Sequence, residues 1–390
     1  MKKLIIAMLA VCLIGTFIFV GCAKTTPTTA PTTTTAPAPA QATTTAPAPA
    51  PTTPSMAPVT LTFNGAQFGA NTPAGKTYMW FCDTVTERTK GLIKFNYVGS
   101  NSLTKPGEEL TALQSGLADV SGFSAVYYPT QLFINGGFNR AVPFDIADIP
   151  TATKVIYKLY YDDPETSKIL ADEFTKQGVH FLLMTVDDSY VLETKAPVAS
   201  LDDLKGKKIA VLGYEGKYFG PTGATVVGMP VGDRPTALQT GVLDGAATPF
   251  EISFPFKLYE FAPNMIQTSF GCVTGNAVAW NMNKWNSLPK DIQDIITQVA
   301  KDTFNQNAII AMDWYTGALA TRSQATGNKP YTNFSAADLA KWATLVGEPV
   351  ADWVKDAASK GIVGADTVVT KFIAGEKAAG YTFPKEWQLK

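Results

Sequence analysis

Thr111-Ala-Leu-Gln-Ser-Gly116-Leu-Ala-Asp119-Val-Ser-Gly122 returns further along the chain as Thr236-Ala-Leu-Gln-Thr-Gly241-Val-Leu-Asp244-Gly-Ala-Ala247. Each copy has the form of a helix end stopped by a glycine, which takes the left-handed conformation that closes a helix, and then an Asp leading into a short buried strand. Two copies of one helix-to-strand unit predict two lobes. The residues after each Asp, 121–128 and 248–251, then fall at the carboxyl ends of strands, where open α/β sheets bind ligands. If the two edges face one another, the gap between them is a cleft for a small molecule and its closure is the working motion. A lobe duplication without a shared cleft is the plainer alternative.

Residues 59–63 alternate apolar and polar as a strand does. Asn71, Thr72 and Pro73 open a helix that runs to Lys90 and stops at Gly91, and a second strand follows over 92–98. Strand, helix, strand, helix, strand predicts a mostly parallel sheet flanked by helices. Helical stretches near 150–161 and 165–177 lead to strands over 179–185 and 190–194, the expected crossing between lobes. The second lobe repeats the logic with helices at 201–205 and 235–240 and strands at 208–212 and 245–248. Strands around 265–273 and 277–282 bring the chain back. From Pro289 no breaker occurs before Gly317, and Ile292, Ile295, Ile296 and Val299 share a face. That predicts a rod on the order of 40 Å bracing both lobes, at about 1.5 Å per residue. Helices over 335–347, 348–359 and 366–374 finish the chain. The expected domains are 59–185 and 186–282 for the lobes, with 283–390 for the long helix and its followers.

The N-terminus has a different character. Lys2 and Lys3 precede an uncharged, mostly apolar run over 4–20 that ends at Gly21-Cys22, the form of a secretion signal with a lipobox. Cys22 is then the acylated first residue of a mature lipoprotein, held to the outer face of the cytoplasmic membrane, or in a periplasm where an outer membrane exists. Phe19 and Val20 depart from the commonest lipobox, but the small Gly21 and the thiol remain. A permanent membrane span is the competing reading, for which the run is at the short limit. Residues 23–58 form a tether: from 25 onward all are Thr, Pro or Ala except Gln41, Ser55 and Met56. Such a stretch has nothing to bury against the entropy of ordering, and at about 3.1 Å per residue it reaches on the order of 100 Å. Its threonines among prolines also permit O-glycosylation.

The chain carries 32 basic and 33 acidic residues, and Lys2, Lys3 and Lys24 all precede the folded body. No basic field for nucleic acid remains. Arginines are confined to Arg88, Arg140, Arg234 and Arg322. His180 is the single histidine, flanked by Val179 and Phe181 in an expected buried strand, so histidine-based triads are disfavoured. Neither Cys-x-x-Cys, His-Glu-x-x-His nor Gly-x-Ser-x-Gly occurs, and no metal or cofactor is expected. Gly213, Gly216 and Gly220 lack the Lys-Ser or Lys-Thr pair of a phosphate loop. Cys82 and Cys272 either pair or remain two buried free thiols.

Asp202-Asp-Leu-Lys-Gly-Lys-Lys-Ile209, Met229-Pro230, the second copy of the repeat through Gly245, and Trp285-Asn-Ser-Leu-Pro289 resemble, in that order and spacing, the solute-binding proteins of TRAP transporters, the DctP family. Ser335-Ala-Ala-Asp338, Trp342 and Trp353 extend the likeness, which spans roughly residues 59–380. The resemblance implies a two-lobed periplasmic-binding-protein-like fold, type II-like, with a long helix across both lobes. It implies capture of a small organic solute outside the cytoplasmic membrane and delivery to an ion-driven membrane permease, not enzymatic activity. The family usually has Arg after the Lys-x-Ile of the second-lobe strand, where it clamps a substrate carboxylate through paired hydrogen bonds. Ala210 stands there. A second common arginine falls near Ser189 and is missing, and the usual Gln-Glu-Asn-Pro loop reads Ala246-Ala247-Thr248-Pro249.

With those contacts gone together, the solute is expected to be atypical. Candidate ligand contacts are Asn64 and Gln67 after the first strand, Phe123, Ser124, Tyr127 and Tyr128 on the first-lobe edge, and Asp187, Asp188 and Tyr190 at the crossing. The second lobe offers Ala210, Tyr214, Thr248, Phe250 and Glu251. Aromatic faces beside hydroxyls and carboxylates suit a solute with an apolar or cationic part; the plainer alternative makes half of these aromatics core and Asp187-Asp188 a solvated turn. A carboxylate solute stays open if Arg140, before an expected strand at Val142-Pro143-Phe144, turns inward to replace the lost clamp, with Arg234 a weaker candidate. Two other functions remain as alternatives: a ligand-sensing or scaffold lipoprotein of the same fold, and an extracellular hydrolase working through a carboxylate pair such as Asp187 with Glu251.

Overall fold

The computed structural model describes residues 56–389; the signal, Cys22 and nearly all of the tether lie outside them. Among the described residues are two free, buried cysteines, Cys82 and Cys272, and no helix long and apolar enough to cross a membrane. The strands are β1 (Val59–Asn64), β2 (Ile93–Val98), β3 (Val120–Ser124), β4 (Val179–Thr194), β5 (Lys208–Ala210), β6 (Thr225–Val227), β7 (Gly245–Pro249), β8 (Asn264–Asn281) and β9 (Tyr331–Asn333). They form one sheet in the order β2-β1-β3-β8-β4-β7-β5-β6, with β9 added to β8. Within the first lobe β1 is parallel to β2 and β3, and within the second β5 is parallel to β6 and β7. Between them run β4 and β8, antiparallel to each other and to β7 and β3 respectively, while β9 joins β8 in parallel.

The repeat has a local physical cause. Helix Glu109–Ser115 stops at Gly116 (φ 76°), and helix Arg234–Gln239 is followed by Thr240 and Gly241 (φ 78°), the left-handed geometry that glycine adopts without Cβ strain. The Asp of each copy then does the same work. Asp119 accepts from the backbone N–H of Thr62 at 2.8 Å and Asp244 from that of Lys208 at 2.8 Å, tying β3 to β1 and β7 to β5. Their carbonyls accept from Asn281 and Lys195, at 2.8 and 3.0 Å, on the crossing strands. Both strands that follow are buried throughout.

The crossing differs from its expected form. Instead of separate short strands, β4 is continuous for 16 residues and β8 for 18. Bulges absorb the bend: register shifts occur at four places between Phe181 and Val191. The largest is in β8, where Ser189 faces Cys272 but Val191 faces Gln267. Ser269 and Gly271 take φ of 59° and 87° in that bulge, and a Cβ on Gly271 would lie 0.8 Å from the Asp145 carboxylate. Asp187 and Asp188 are therefore buried strand residues, 4% and 3% exposed, and not a solvated turn. The strand expected at Val142-Pro143-Phe144 is a turn, because Pro143 has no N–H to donate and Phe144 sits at φ 60°.

Helix Lys290–Ala325 is longer than its breaker pattern predicts, 36 residues and about 54 Å at the usual rise. Gly317 faces open space and does not interrupt it, since one exposed helical glycine costs only about 1 kcal/mol. Its first half buries Ile292, Ile296, Val299 and Ala300 with Phe63, Phe81 and Trp280 of the first lobe. Its second half packs Trp314, Tyr315 and Ala318 against Phe250 and Val191. One helix thus joins two cores. Helices Ala336–Leu345, Pro349–Ser359 and Ala365–Ala378 close the chain, burying Trp342, Trp353 and Phe372. Helix Pro73–Arg88 begins as its sequence requires, with the Thr72 hydroxyl accepting from Gly75 N at 3.0 Å. Thr72→Ala should cost about 1 kcal/mol, read as a lowered urea midpoint with unchanged slope.

Candidate functional site

Strand ends from both lobes meet at a cavity of about 180 Å³. The first lobe contributes Gln67 beyond β1 and Ser124, Val126 and Tyr127 at the end of β3. The second contributes Leu212 and Gly213 beyond β5, Val231 just before the repeat helix and Arg234 at its first residue, and Ala247, Thr248, Pro249 and Ile252 at the end of β7. Asp187, Tyr190 and Asn276 rise from the crossing strands, and Arg140 completes the lining. Ser124 and Thr248, the counterparts in the two copies of the repeat, thus border one space.

The two arginines are in opposite electrostatic states. Arg140 Nη1 donates to Glu215 Oε1 at 2.6 Å and to Tyr190 Oη at 3.1 Å, and Nη2 donates to the Thr274 carbonyl at 3.4 Å. The ion pair is almost wholly buried on both sides. Burial opposes the Arg140 charge, but Glu215 and the surrounding groups outweigh it and raise its pKa further. Arg234 is 2% exposed. Its Nε and Nη1 donate to the carbonyls of Met229 and Ala247, at 3.0 and 3.1 Å, and no carboxylate among the described residues pairs with it. Burial accordingly lowers its pKa, with Tyr190, Tyr127 and Glu193 only partly offsetting the penalty. Arg234 is a buried cation held by neutral carbonyls at the wall of a cavity.

Carboxylates crowd the floor. Burial raises the Asp187 carboxyl to about 6 against the pull of Arg140. Burial pushes the Glu251 and Asp188 carboxyls well above the ordinary carboxylate range; the charges of Asp187 and Asp188 and a hydrogen bond to Asp187 raise Glu251 further, and Asp187 also raises Asp188. The Glu251 backbone N–H donates to both oxygens of Asp188, at 3.3 and 3.1 Å.

Gln67, Ser124, Tyr127, Arg140, Asp187, Tyr190, Thr248 and the weaker candidate Arg234 are brought together at this cavity; the other candidates stand elsewhere. Asn64 is buried behind it, donating to Thr104 Oγ1 and Ser121 Oγ at 2.8 and 3.0 Å while accepting from Ala66 N, so its amide shapes the loop. Phe123 packs edge-on with Tyr128 in the core, and the Tyr128 hydroxyl bonds to Glu109. Ala210 is fully buried in the apolar cluster with Leu238 and Leu243. Phe250 is sealed against Phe254, Trp314 and Tyr315, and Glu251 lies behind Asp187. Tyr214 lines a neighbouring cavity of about 280 Å³ that shares Val126, Arg140 and Gly213 with the first, and its hydroxyl donates to the Pro349 carbonyl. Residues the sequence did not single out are Asn276 and the apolar set Val126, Leu212, Val231 and Ile252. Val126, Leu212 and Ile252 are marked only by their place just past strand ends, and Asn276 only by its place within β8.

A two-lobed α/β body with a cleft at its facing strand ends is the class of a small-molecule receptor that works by closure. The chain belongs to the DctP family, bacterial extracellular solute-binding protein family 7, whose model matches residues 64–356. These are solute-binding proteins, not enzymes. It is 24% identical over 319 residues to the C4-dicarboxylate-binding periplasmic protein DctP of Rhodobacter capsulatus, covering 81% of this chain and 91% of that one. Two solved folds are similar. A TRAP periplasmic solute-binding protein from Desulfovibrio salexigens matches at TM-score 0.72 and 24% identity over 83% of this chain and 97% of its own, and was crystallised as an open complex with the C-terminus of a symmetry mate in its ligand-binding site. A marine metagenome TRAP protein specific for aromatic acids, bound to 3-hydroxybenzoate, matches at TM-score 0.71 and 22% identity over 84% of this chain and all of its own.

Proposed function

We propose that the protein is the receptor of a TRAP-type transporter, tethered through acylated Cys22 outside the cytoplasmic membrane, and that it captures a small organic acid with Arg234 as the carboxylate anchor. The observation that carries this reading is a guanidinium buried at the cavity wall with no acidic partner. A buried cation is tolerated when something pairs with it, and an incoming carboxylate is that partner. Arg140 is poorly suited to the task, because Glu215 already neutralises it. Tyr127, Tyr190, Ser124 and Thr248 supply hydroxyls for the remaining solute oxygens. Since the lining comes from both lobes, the solute gains its full set of contacts only when they are closed, so binding shifts the population toward the closed form that a permease can distinguish.

A thermal-shift screen of small monocarboxylates and dicarboxylates, each beside its neutral amide, tests the reading. A ligand at a hundred times its Kd adds about 2.7 kcal/mol to the native state. Acids should raise the melting temperature and their amides should not. Equal shifts from acids and amides, or shifts from amides alone, would remove Arg234 from the role assigned to it.

A further inference from the structure

The cavity walled by Arg234 has a second charge that no ion pair neutralises among the described residues. Asp187 is 4% exposed; the neighbouring Glu251 carboxyl shares a hydrogen bond with it, and Thr185 Oγ1 at 3.4 Å and Asn276 Nδ2 at 3.4 and 3.5 Å reach its oxygens only at long range. Bonds of that length lie beyond the ordinary range and leave acceptor capacity unused. The carboxylate is pressed against the backbone of β8, where a Cβ on Gly275 would come within 1.9 Å of it. Arg140 attracts it, but that guanidinium is committed to Glu215, Tyr190 and the Thr274 carbonyl. No ion pair joins Asp187 to Arg234 among the described residues, so the lining presents one unpaired cation and one carboxylate whose close partner is another carboxyl rather than a cation.

We infer that Asp187 receives a positively charged nitrogen on the solute, so that the cavity recognises a small zwitterion with its carboxylate on Arg234 and its ammonium on Asp187. The carboxylate half rests on the function proposed above. The ammonium half rests on the cavity's charge balance. Arg140 and Glu215 cancel, burial pushes Asp188 and Glu251 toward their neutral forms with Glu251 hydrogen-bonded to Asp187, and the charges of Arg234 and Asp187 remain. A simple carboxylate answers the first and leaves the second buried without a cation, whereas a zwitterion answers both. The rings of Tyr127 and Tyr190 on the same lining also favour an ammonium at their faces.

Isothermal titration of matched pairs tests it: proline against cyclopentanecarboxylate, valine against 3-methylbutanoate, leucine against 4-methylpentanoate and phenylalanine against 3-phenylpropanoate. Each pair shares a heavy-atom skeleton or differs only by the amino group. The wild-type protein should bind the best amino acid at least tenfold more tightly than its partner acid, on the order expected of one charged hydrogen bond. Asp187→Asn should bring that ratio near one. The preference should also shrink as pH falls through about 6, when Asp187 gains a proton. Arg140, Asp188, Glu251 and Tyr78 are the other titratable groups facing it; the arginine stays charged there, and burial raises each of the others, so falling pH only moves them further toward their neutral forms. Acids bound as tightly as their amino counterparts in the wild type would overturn this inference and leave the carboxylate reading standing. Failure of both series to bind would overturn the two together.

Discussion

Arg234→Gln is expected to weaken binding of an organic acid at least roughly a hundredfold while leaving the ligand-free protein as stable as before, or more stable. The two effects have one origin. Truncating one member of a buried, hydrogen-bonded charge pair costs about 2–5 kcal/mol of binding, and 2.7 kcal/mol is a factor of a hundred. In the empty cavity, however, the guanidinium has only the Met229 and Ala247 carbonyls for company. Its buried charge is a cost that the ligand-free fold carries, and a neutral amide that still donates to a carbonyl removes it. Arg234→Lys should fall between, keeping the charge but losing the planar fork that matches a carboxylate. Titration calorimetry and urea unfolding of the same three proteins separate the outcomes. A variant that loses stability and affinity in proportion would make Arg234 a packing residue.

That arginine shows where the sequence stops informing. The repeat was readable because its elements are local: a helix, a glycine with positive φ and an Asp that bonds the neighbouring strand all sit within a dozen residues, and each copy builds one lobe edge. The long helix was readable for the same reason, from its apolar stripe, although Gly317 made it look shorter than it is. The bent strands were not. A pair of adjacent aspartates ordinarily breaks a buried pattern, and Asp187-Asp188 is tolerated inside β4 only because Asn276 and the Glu251 backbone come from distant segments, and Thr185 from within the strand, to meet it. The arginines are harder still. Arg140 was the natural replacement for the cation missing at Ala210, yet Glu215, far along the chain in the other lobe, takes its charge. Arg234, at the first residue of a helix, gave no local sign of burial. Charge state at a cavity is set by partners remote in sequence, and a single sequence does not display them. Asn64, Phe123 and Phe250 illustrate the converse: each sits at a strand end, as cleft residues do, but neighbouring groups occupy its side chain.

Glu215→Ala should therefore cost the most stability of any single change near the site, about 3–5 kcal/mol, because it strands the buried guanidinium of Arg140. The pair closes at 2.6 Å with both side chains almost fully shielded, so solvent does little to screen it. Arg140 has other bonds to Tyr190 and Thr274, but these are neutral and cannot balance a charge. The double replacement Arg140→Met with Glu215→Leu removes both charges and should recover most of the loss, since apolar residues of similar volume often match or exceed a buried ion pair in stability. Urea unfolding of the two singles and the double gives the coupling energy directly. A large positive coupling is expected, and near-additive losses would mean that Arg140 is adequately held without Glu215. Affinity follows a different rule. Because Arg140 belongs to the first lobe and Glu215 to the second, the pair also helps hold the lobes together around the solute. The double variant, restored in stability, should still bind an acid through Arg234 but more weakly than the wild type, as closure then depends on the ligand's own contacts.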